Sequence, residues 1–292
     1  MSHVLVLIAD PVRADLHDST ATAVRAALGG GPPAWLAPGI ACEFTLSGDP
    51  ESAAMVARHA TGEAPVDIAV VPTGHRRKKL LVADMESTLI ENEFLDDIAT
   101  RAGIGERITE ITRRAMAGEL DFAGALRERV AMLKDLDAAI LDQTYAGLKI
   151  VPGARTLVAT MRAHGAFTAI VSGGFRIFVE RVRITLGADH AEANHLEVDG
   201  TRLTGTVSEP VFDRAGKQAT LERLAQARGI ALSDTMAVGD GANDLDMIKA
   251  AGLGVAFRAK PVLSAAAGVS IRHGDLTALL YLQGYRLAEF AA

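Results

Sequence analysis

The chain has 292 residues, 49% hydrophobic and 23% charged, a globular composition long enough for one large domain or two ordinary ones. A formal net charge of −6 and a pI near 5.8 disfavour nucleic acid and anionic membranes as partners. The single cysteine, Cys42, excludes an internal disulfide framework and a thiolate metal cage, and suits a reducing cytosol.

HVLVLIAD, near the amino terminus, has the apolar density of a buried strand. No basic segment precedes it and no small-residue cleavage pattern follows, so it is read as a strand and not a signal peptide. STATAVRAALGG then predicts a short helix closed by glycine, and GPPAWLAPG a turn-rich connection. IACEFTLSG predicts an alternating strand, DPESAAMVARHATG a second helix, and VDIAVVPTG a third strand. Residues 1–74 therefore form an expected small α+β domain of βαβαβ order. An ACT-like fold would suit it, but one strand that such a fold requires is not visible. The basic run GHRRKK predicts a solvated linker over residues 75–79 rather than a binding patch.

From Leu80 the pattern changes. KLLVAD, FTAIVSGG and TMAVGDG are continuous apolar runs that stop abruptly at polar or glycine residues, with helical stretches such as GARTLVATMRAHG and GKQATLERLAQARG between them. Strands buried on both faces and joined by helices predict a parallel α/β sheet. Ligands bind beyond the carboxyl ends of such strands, which would bring Asp84, Ser172 and Asp240 to one edge. The Ala-, Leu-, Glu- and Arg-rich insertion over residues 92–148 predicts a helical lid above that edge. No apolar run approaches the roughly 20 residues of a bilayer crossing, so a soluble, cytoplasmic protein is expected.

Asp84 and Glu86 are separated by one residue, and carboxylates that close repel unless they share a cation or a proton. Alone, the pair would be read as a helix cap and a solvated acid. AVGDGANDLDM adds Asp240, Asn243 and Asp244 at the same edge, a set of hard oxygen ligands that suits Mg²⁺ and does not fit an EF-hand. Ser172 and Gly173 of VSGG offer a hydroxyl and backbone N–H groups to a phosphate oxygen, although the same residues make ordinary turns. Lys217 opens its helix against the dipole, so it requires an outside anion or solvent; for a lone lysine, solvent is the plainer expectation.

Together these segments resemble the haloacid dehalogenase (HAD) superfamily, in the order DMEST, VSGG, GKQ and GDGAND, from about Leu80 to the carboxyl terminus. Within it, STLIENEFLDDIA, MAGELDFAGALRERV, LKDL, VSGGF and VGDGANDLDM resemble the phosphoserine phosphatases. The resemblance implies a HAD-like Rossmannoid parallel sheet over residues 80–292, with a helical cap inserted after its first strand. The implied activity is Mg²⁺-dependent hydrolysis of O-phosphoserine through an aspartyl-phosphate, the last step of L-serine biosynthesis. Asp84 would be the nucleophile. Asp84, the backbone carbonyl of Glu86 and Asp240 would hold Mg²⁺, supported by Asp244. Ser172, Gly173 and Lys217 would hold phosphate oxygens, with Asn243 near the substrate. Glu93, Phe122 and Arg129 would recognise the ammonium and carboxylate of serine. Without the resemblance, these three read as a first-turn acid, a core residue and a solvated charge.

The chain departs from the pattern at Glu86, where the family carries aspartate as general acid and base. Its intrinsic acidity is similar, but its carboxyl sits a methylene further out. Hydrolysis of the intermediate is therefore expected to be slowed. The alternative is a phosphotransferase with a small alcohol such as homoserine as acceptor, and a third reading is a regulatory amino-acid-binding protein without turnover. The expected partner is a small molecule, and a homodimer is compatible with the sequence.

Overall fold

The computed structural model describes residues 2–291. The amino-terminal unit runs β1 (His3–Ala9), α1 (Asp18–Leu28), β2 (Ala34–Ala37), β3 (Ala41–Leu46), α2 (Pro50–Thr61) and β4 (Val66–Pro72). Its antiparallel sheet has the order β2-β3-β1-β4, the ferredoxin-like arrangement of two interleaved βαβ halves. The expected helices end as their caps dictate: Gly29 closes α1 with left-handed φ 63°, and the Asp49 side chain accepts the Ser52 N–H at the start of α2. The turn-rich GPPAWLAPG is a correction, because four of its residues form β2. Prolines on both sides confine it to a short, irregular sheet edge, which hides its signal.

β1 is buried on both faces, and the two faces have different partners. Leu5, Leu7 and Ala9 pack with Ala21 and Val24 of α1 and Ala53 and Ala57 of α2. Val4, Val6 and Ile8 belong instead to the large core of the rest of the chain, together with Leu276 and Leu279.

The run after β4 is not a solvated linker. Arg76 donates to Glu43 at 2.6 Å and to the Leu282 carbonyl at 2.9 Å, and buried Lys78 donates Nζ to the Ser233 carbonyl at 2.7 Å. Lys79 and His75 both bond Asp234, and Arg77 lies 4.1 Å above the Tyr285 ring. Carbonyl and carboxylate acceptors satisfy these cations, so half of the run turns inward.

The second sheet is parallel, in the order β12-β11-β10-β5-β6-β7. Its strands are β5 (Leu80–Asp84), β6 (Phe167–Phe175), β7 (His190–Asn194), β10 (Thr235–Gly239), β11 (Leu253–Phe257) and β12 (Val269–Ile271). Helices α7 (Ala154–Ala163), α8 (Arg176–Leu186), α9 (Arg214–Ala227), α10 (Leu245–Ala250), α11 (Pro261–Ala266) and α12 (Ala278–Leu282) complete the expected HAD-like layers. The insertion after β5 contains α3 (Phe94–Arg101), α4 (Gly105–Met116), α5 (Phe122–Ala131) and α6 (Ala139–Tyr145). Its two ends are tied together: Glu91 N donates to Lys149 O at 2.8 Å and Val151 N to Leu89 O at 3.0 Å. The cap is not helical alone. A hairpin, β8 (Leu196–Asp199) and β9 (Arg202–Val207), joins it through Asp135 N to Leu203 O and Leu203 N to Leu136 O, both 2.9 Å. Among the described residues no helix is long and apolar enough to cross a membrane.

Candidate active site

Register puts the candidate residues at one level. Asp84 pairs with Val171 of β6, one residue before Ser172, while Ala83 pairs with Val238 of β10, two residues before Asp240. β5 stands between β10 and β6, so the edge lies where the chain's crossovers diverge, the position at which an α/β sheet opens a crevice.

After Asp84 the chain turns at once. The N–H groups of Thr88, Leu89 and Ile90 all donate to Met85 O, at 3.3, 2.8 and 3.0 Å, and Ser87 is held at φ 56°. A serine in that left-handed region is strained by about 1–3 kcal/mol, which the converging hydrogen bonds offset. The turn directs Glu86 back over the strand ends, where its Oε1 accepts the Phe94 N–H at 2.8 Å and its Oε2 accepts from Ser172 Oγ at 3.5 Å. Burial, and then the charge of Glu93, push its pKa up to about 8. Phe94 is itself anchored, stacked on Phe178 of α8 at 4.0 Å.

Lys217, which taken alone would be read as solvent-exposed, is fully buried. Helix α9 starts at Arg214, with Asp213 capping Gly216 N, so Lys217 sits one turn inside and points into the core. Its Nζ donates to Asp84 Oδ1 at 2.5 Å and to Asp244 Oδ1 at 2.7 Å. Burial works against its charge, but the two carboxylates more than offset this, so its pKa lies above the ordinary lysine value. Asp244 also accepts the N–H groups of Asp240 at 3.2 Å and Gly241 at 3.1 Å. Glycine is required at 239, because a Cβ there would stand 2.3 Å from the Asp244 carboxyl carbon.

The carboxylates of Asp84, Asp240 and Asp244 offer oxygens that all lie within 4.8 Å of one another. Asp84, Asp244 and Lys217 are essentially inaccessible, and Asp240 is 8% exposed. Burial, then the Asp244 charge, push the Asp84 carboxyl well above its usual range, and burial raises Asp240 likewise. Three buried carboxylates face one buried ammonium, and largely solvated Lys260 reaches only Asp240, so the edge keeps a net negative charge that a divalent cation would neutralise. The hard oxygen donors fit such an ion. The side chain completing this triad is Asp244; the side chain of Glu86 turns instead toward Phe94 and Ser172.

Ser172 is buried, and its Oγ accepts the Gly174 N–H at 2.9 Å. A Cβ on Gly173 would meet Phe122 at 2.8 Å, and one on Gly174 would meet Glu86 Oε2 at 2.7 Å, so both glycines admit cap and loop side chains to the strand end. Phe122 is therefore not a core residue; it is 36% exposed and leans over Gly173. Glu93 stands at the start of α3 and accepts from Ser87 Oγ at 2.8 Å; burial raises its pKa. Arg129, two turns after Phe122 on α5, is half-buried and not a solvated charge. Burial lowers its pKa, while Asp96, Glu86 and Glu93 oppose the shift, so it looks toward the same acidic edge. Asn243 lies in the 3-10 turn Ala242–Asp244, with its Oδ1 beside Gly241.

Two residues of this edge carry no motif that sequence reasoning could use. Buried Asn194, at the end of β7, donates Nδ2 to the carbonyls of Gly173 and Phe212, both at 2.9 Å, and accepts the Phe212 N–H at 2.6 Å. Phe212 in turn abuts Gly216, one residue before Lys217. Its one faint signal is an asparagine ending a strand. Lys260 approaches Asp240 Oδ2 at 3.5 Å with its side chain largely in solvent, and nothing in its neighbourhood along the chain marks it.

The haloacid dehalogenase-like hydrolase family model matches residues 81–249. The chain is 46% identical over 260 residues to the phosphoserine phosphatase of Streptomyces coelicolor, covering 87% of this chain and 63% of that protein. It thus spans less than two thirds of that relative's length. A HAD family hydrolase from Salmonella enterica serovar Typhi shares the structure with a TM-score of 0.86 at 30% identity, covering 96% of this chain and 98% of its own. A probable phosphoserine phosphatase from Vibrio cholerae gives 0.81 at 34%, over 98% of this chain and 88% of its own. With the buried acid–lysine edge, the matched motifs and the shared architecture in view, the chain belongs to the haloacid dehalogenase-like hydrolase family.

Proposed function

We propose that the protein is a Mg²⁺-dependent phosphoserine phosphatase that hydrolyses O-phosphoserine to serine and phosphate through a phosphorylated Asp84. The observation that carries this is the buried acidic edge: the carboxylates of Asp84, Asp240 and Asp244 converge, and the one buried lysine there, Lys217, pairs with Asp84 and Asp244. Asp84 and Asp240, with the Glu86 backbone carbonyl, would hold Mg²⁺, which when bound neutralises charge on the phosphoryl group.

Asp84 attacks phosphorus with a carboxylate oxygen, and the bond from phosphorus to the serine oxygen breaks. Lys217 has three N–H donors and uses two on Asp84 and Asp244, leaving one for a phosphate oxygen. Ser172 Oγ and the Gly173 N–H hold further phosphate oxygens. Burial and the charge of Glu93 push the Glu86 pKa up to about 8, which suits it to give a proton to the departing serine oxygen. Ionised by that transfer, it takes a proton from water, which attacks phosphorus and releases Asp84. Glu93 and Arg129 carry the charges that complement an ammonium and a carboxylate, with Phe122 above the phosphate loop and Asn243 beside it.

The hydrolase names of the relatives do not favour transfer to homoserine, and a site with its acids and lysine intact argues against a purely regulatory binder. Phosphate release from O-phosphoserine should require Mg²⁺ and vanish in Asp84→Asn. Retained turnover in that variant, or no turnover of phosphoserine in the wild type with Mg²⁺, would overturn the proposal.

A further inference from the structure

A cleft of about 490 Å³ opens between the amino-terminal unit and the far edge of the parallel sheet, lined by α2 and β4 on one side and by α11 and β12 on the other. β12 is separated from β5 by β11 and β10, so the cleft lies three strand spacings, roughly 14 Å, from the line of the active-site strand. Arg58 comes from one wall, and Arg272 and His273 from the other. Neither arginine side chain has an acceptor or ion-pair partner among the described residues.

The one acidic group in the lining is already committed. Asp67 is buried, and its carboxylate accepts the backbone N–H groups of Arg272 at 2.8 Å, His273 at 3.0 Å and Gly274 at 2.8 Å. It docks the two units and leaves the guanidinium groups unneutralised. Among the hydroxyls, Thr61 donates to Arg58 O at 3.1 Å and Ser264 to Ala259 O at 3.1 Å. Ser270 Oγ is buried with no partner. The cleft thus joins two guanidiniums without a protein acceptor and a hydroxyl without a partner in one lining, donors that suit an anion entering from solvent.

We propose that this cleft is a second binding site, distinct from the active site, for a small dianion bearing carboxylate or phosphate groups. Arg58 and Arg272 grip the anion from opposite walls, and Ser270 turns its buried hydroxyl outward to donate to it. Because the walls belong to two units, the bound anion ties the amino-terminal sheet to the catalytic sheet and tightens the docking that Asp67 begins.

The test is calorimetric titration of the full chain with succinate and, separately, with inorganic phosphate, at an ionic strength held constant with chloride. Saturable binding of at least one of them is expected. Its Kd should rise tenfold or more in Arg58→Gln and in Arg272→Gln, and a few-fold in Ser270→Ala. Both arginines are exposed, so these variants should keep their far-ultraviolet circular dichroism and their anion-free phosphoserine turnover. Phosphate bound at the catalytic edge is separated from cleft binding because it is insensitive to both arginine changes. Absence of saturable binding of either anion, or binding unchanged in both arginine variants, would overturn the proposal.

Discussion

Lys217→Met tests the charge balance of the buried edge most directly. Methionine keeps the length and packing of the side chain but removes the cation that lies 2.5 Å from Asp84 and 2.7 Å from Asp244. Removing one partner of a buried ion pair costs about 3–5 kcal/mol, because the remaining charge has lost its compensation. At about 2–4 °C per kcal/mol for a chain of this size class, the metal-free midpoint should fall by roughly 6–20 °C. Calorimetric unfolding in chelator measures it. The loss should be smaller near pH 5, where the abandoned carboxylates can take up a proton, and larger near pH 8. Adding Asp84→Asn should recover part of it, since one of the stranded charges is then gone. Mg²⁺ should raise the midpoint of Lys217→Met by more than it raises the wild type. A loss below about 1 kcal/mol in chelator, or no recovery in the double variant, would show that Lys217 does not balance these acids.

Asp84, Glu86 and Asp240 all have pKa values raised in the folded chain, Glu86 to about 8. Folding therefore binds protons between the unfolded carboxyl range and about 8, and metal-free stability should fall as pH rises through that window. Since Mg²⁺ must displace those protons, its stabilisation should be larger at pH 8 than at pH 6; equal midpoint shifts would refute this. Asn194→Ala removes three hydrogen bonds that hold Gly173 and Phe212, and should cost about 2–4 kcal/mol of stability and at least tenfold in kcat/KM for phosphoserine. Unchanged kinetics would reduce Asn194 to a scaffold residue. Glu86→Asp withdraws the carboxyl by a methylene from the Phe94 N–H it now accepts, and should change both the steady-state rate and the level of phosphorylated enzyme seen in rapid-quench experiments. If neither moves, the extra methylene does not slow hydrolysis.

Much of the catalytic unit is legible in the order of residues along the chain. Continuous apolar runs ending in Asp84, VSGG and GDGAND mark strands buried on both faces, and the parallel-sheet rule alone places their ends on one edge. The four-helix insertion is readable for the same reason, since helical composition is a local property. The β8–β9 hairpin is not, because its residues are mixed in polarity and the partners of its Leu203, Asp135 and Leu136, lie far earlier in the chain. Strand β2 is hidden by its flanking prolines, which a sheet tolerates only at its edge.

By itself the sequence determined which chemistry is available: the oxygen-rich motifs, the lysine and their order along the chain are covalent facts. Only the tertiary structure decided what each charge is worth. Apart from the family resemblance, Lys217 reads as a surface lysine until the depth of α9 places it between two carboxylates, and the basic run after β4 reads as a linker until Glu43, Ser233 and Leu282 supply its acceptors. The reason is physical: a residue's propensity acts on its neighbours in sequence, whereas burial and electrostatic pairing depend on groups that folding brings together from far along the chain.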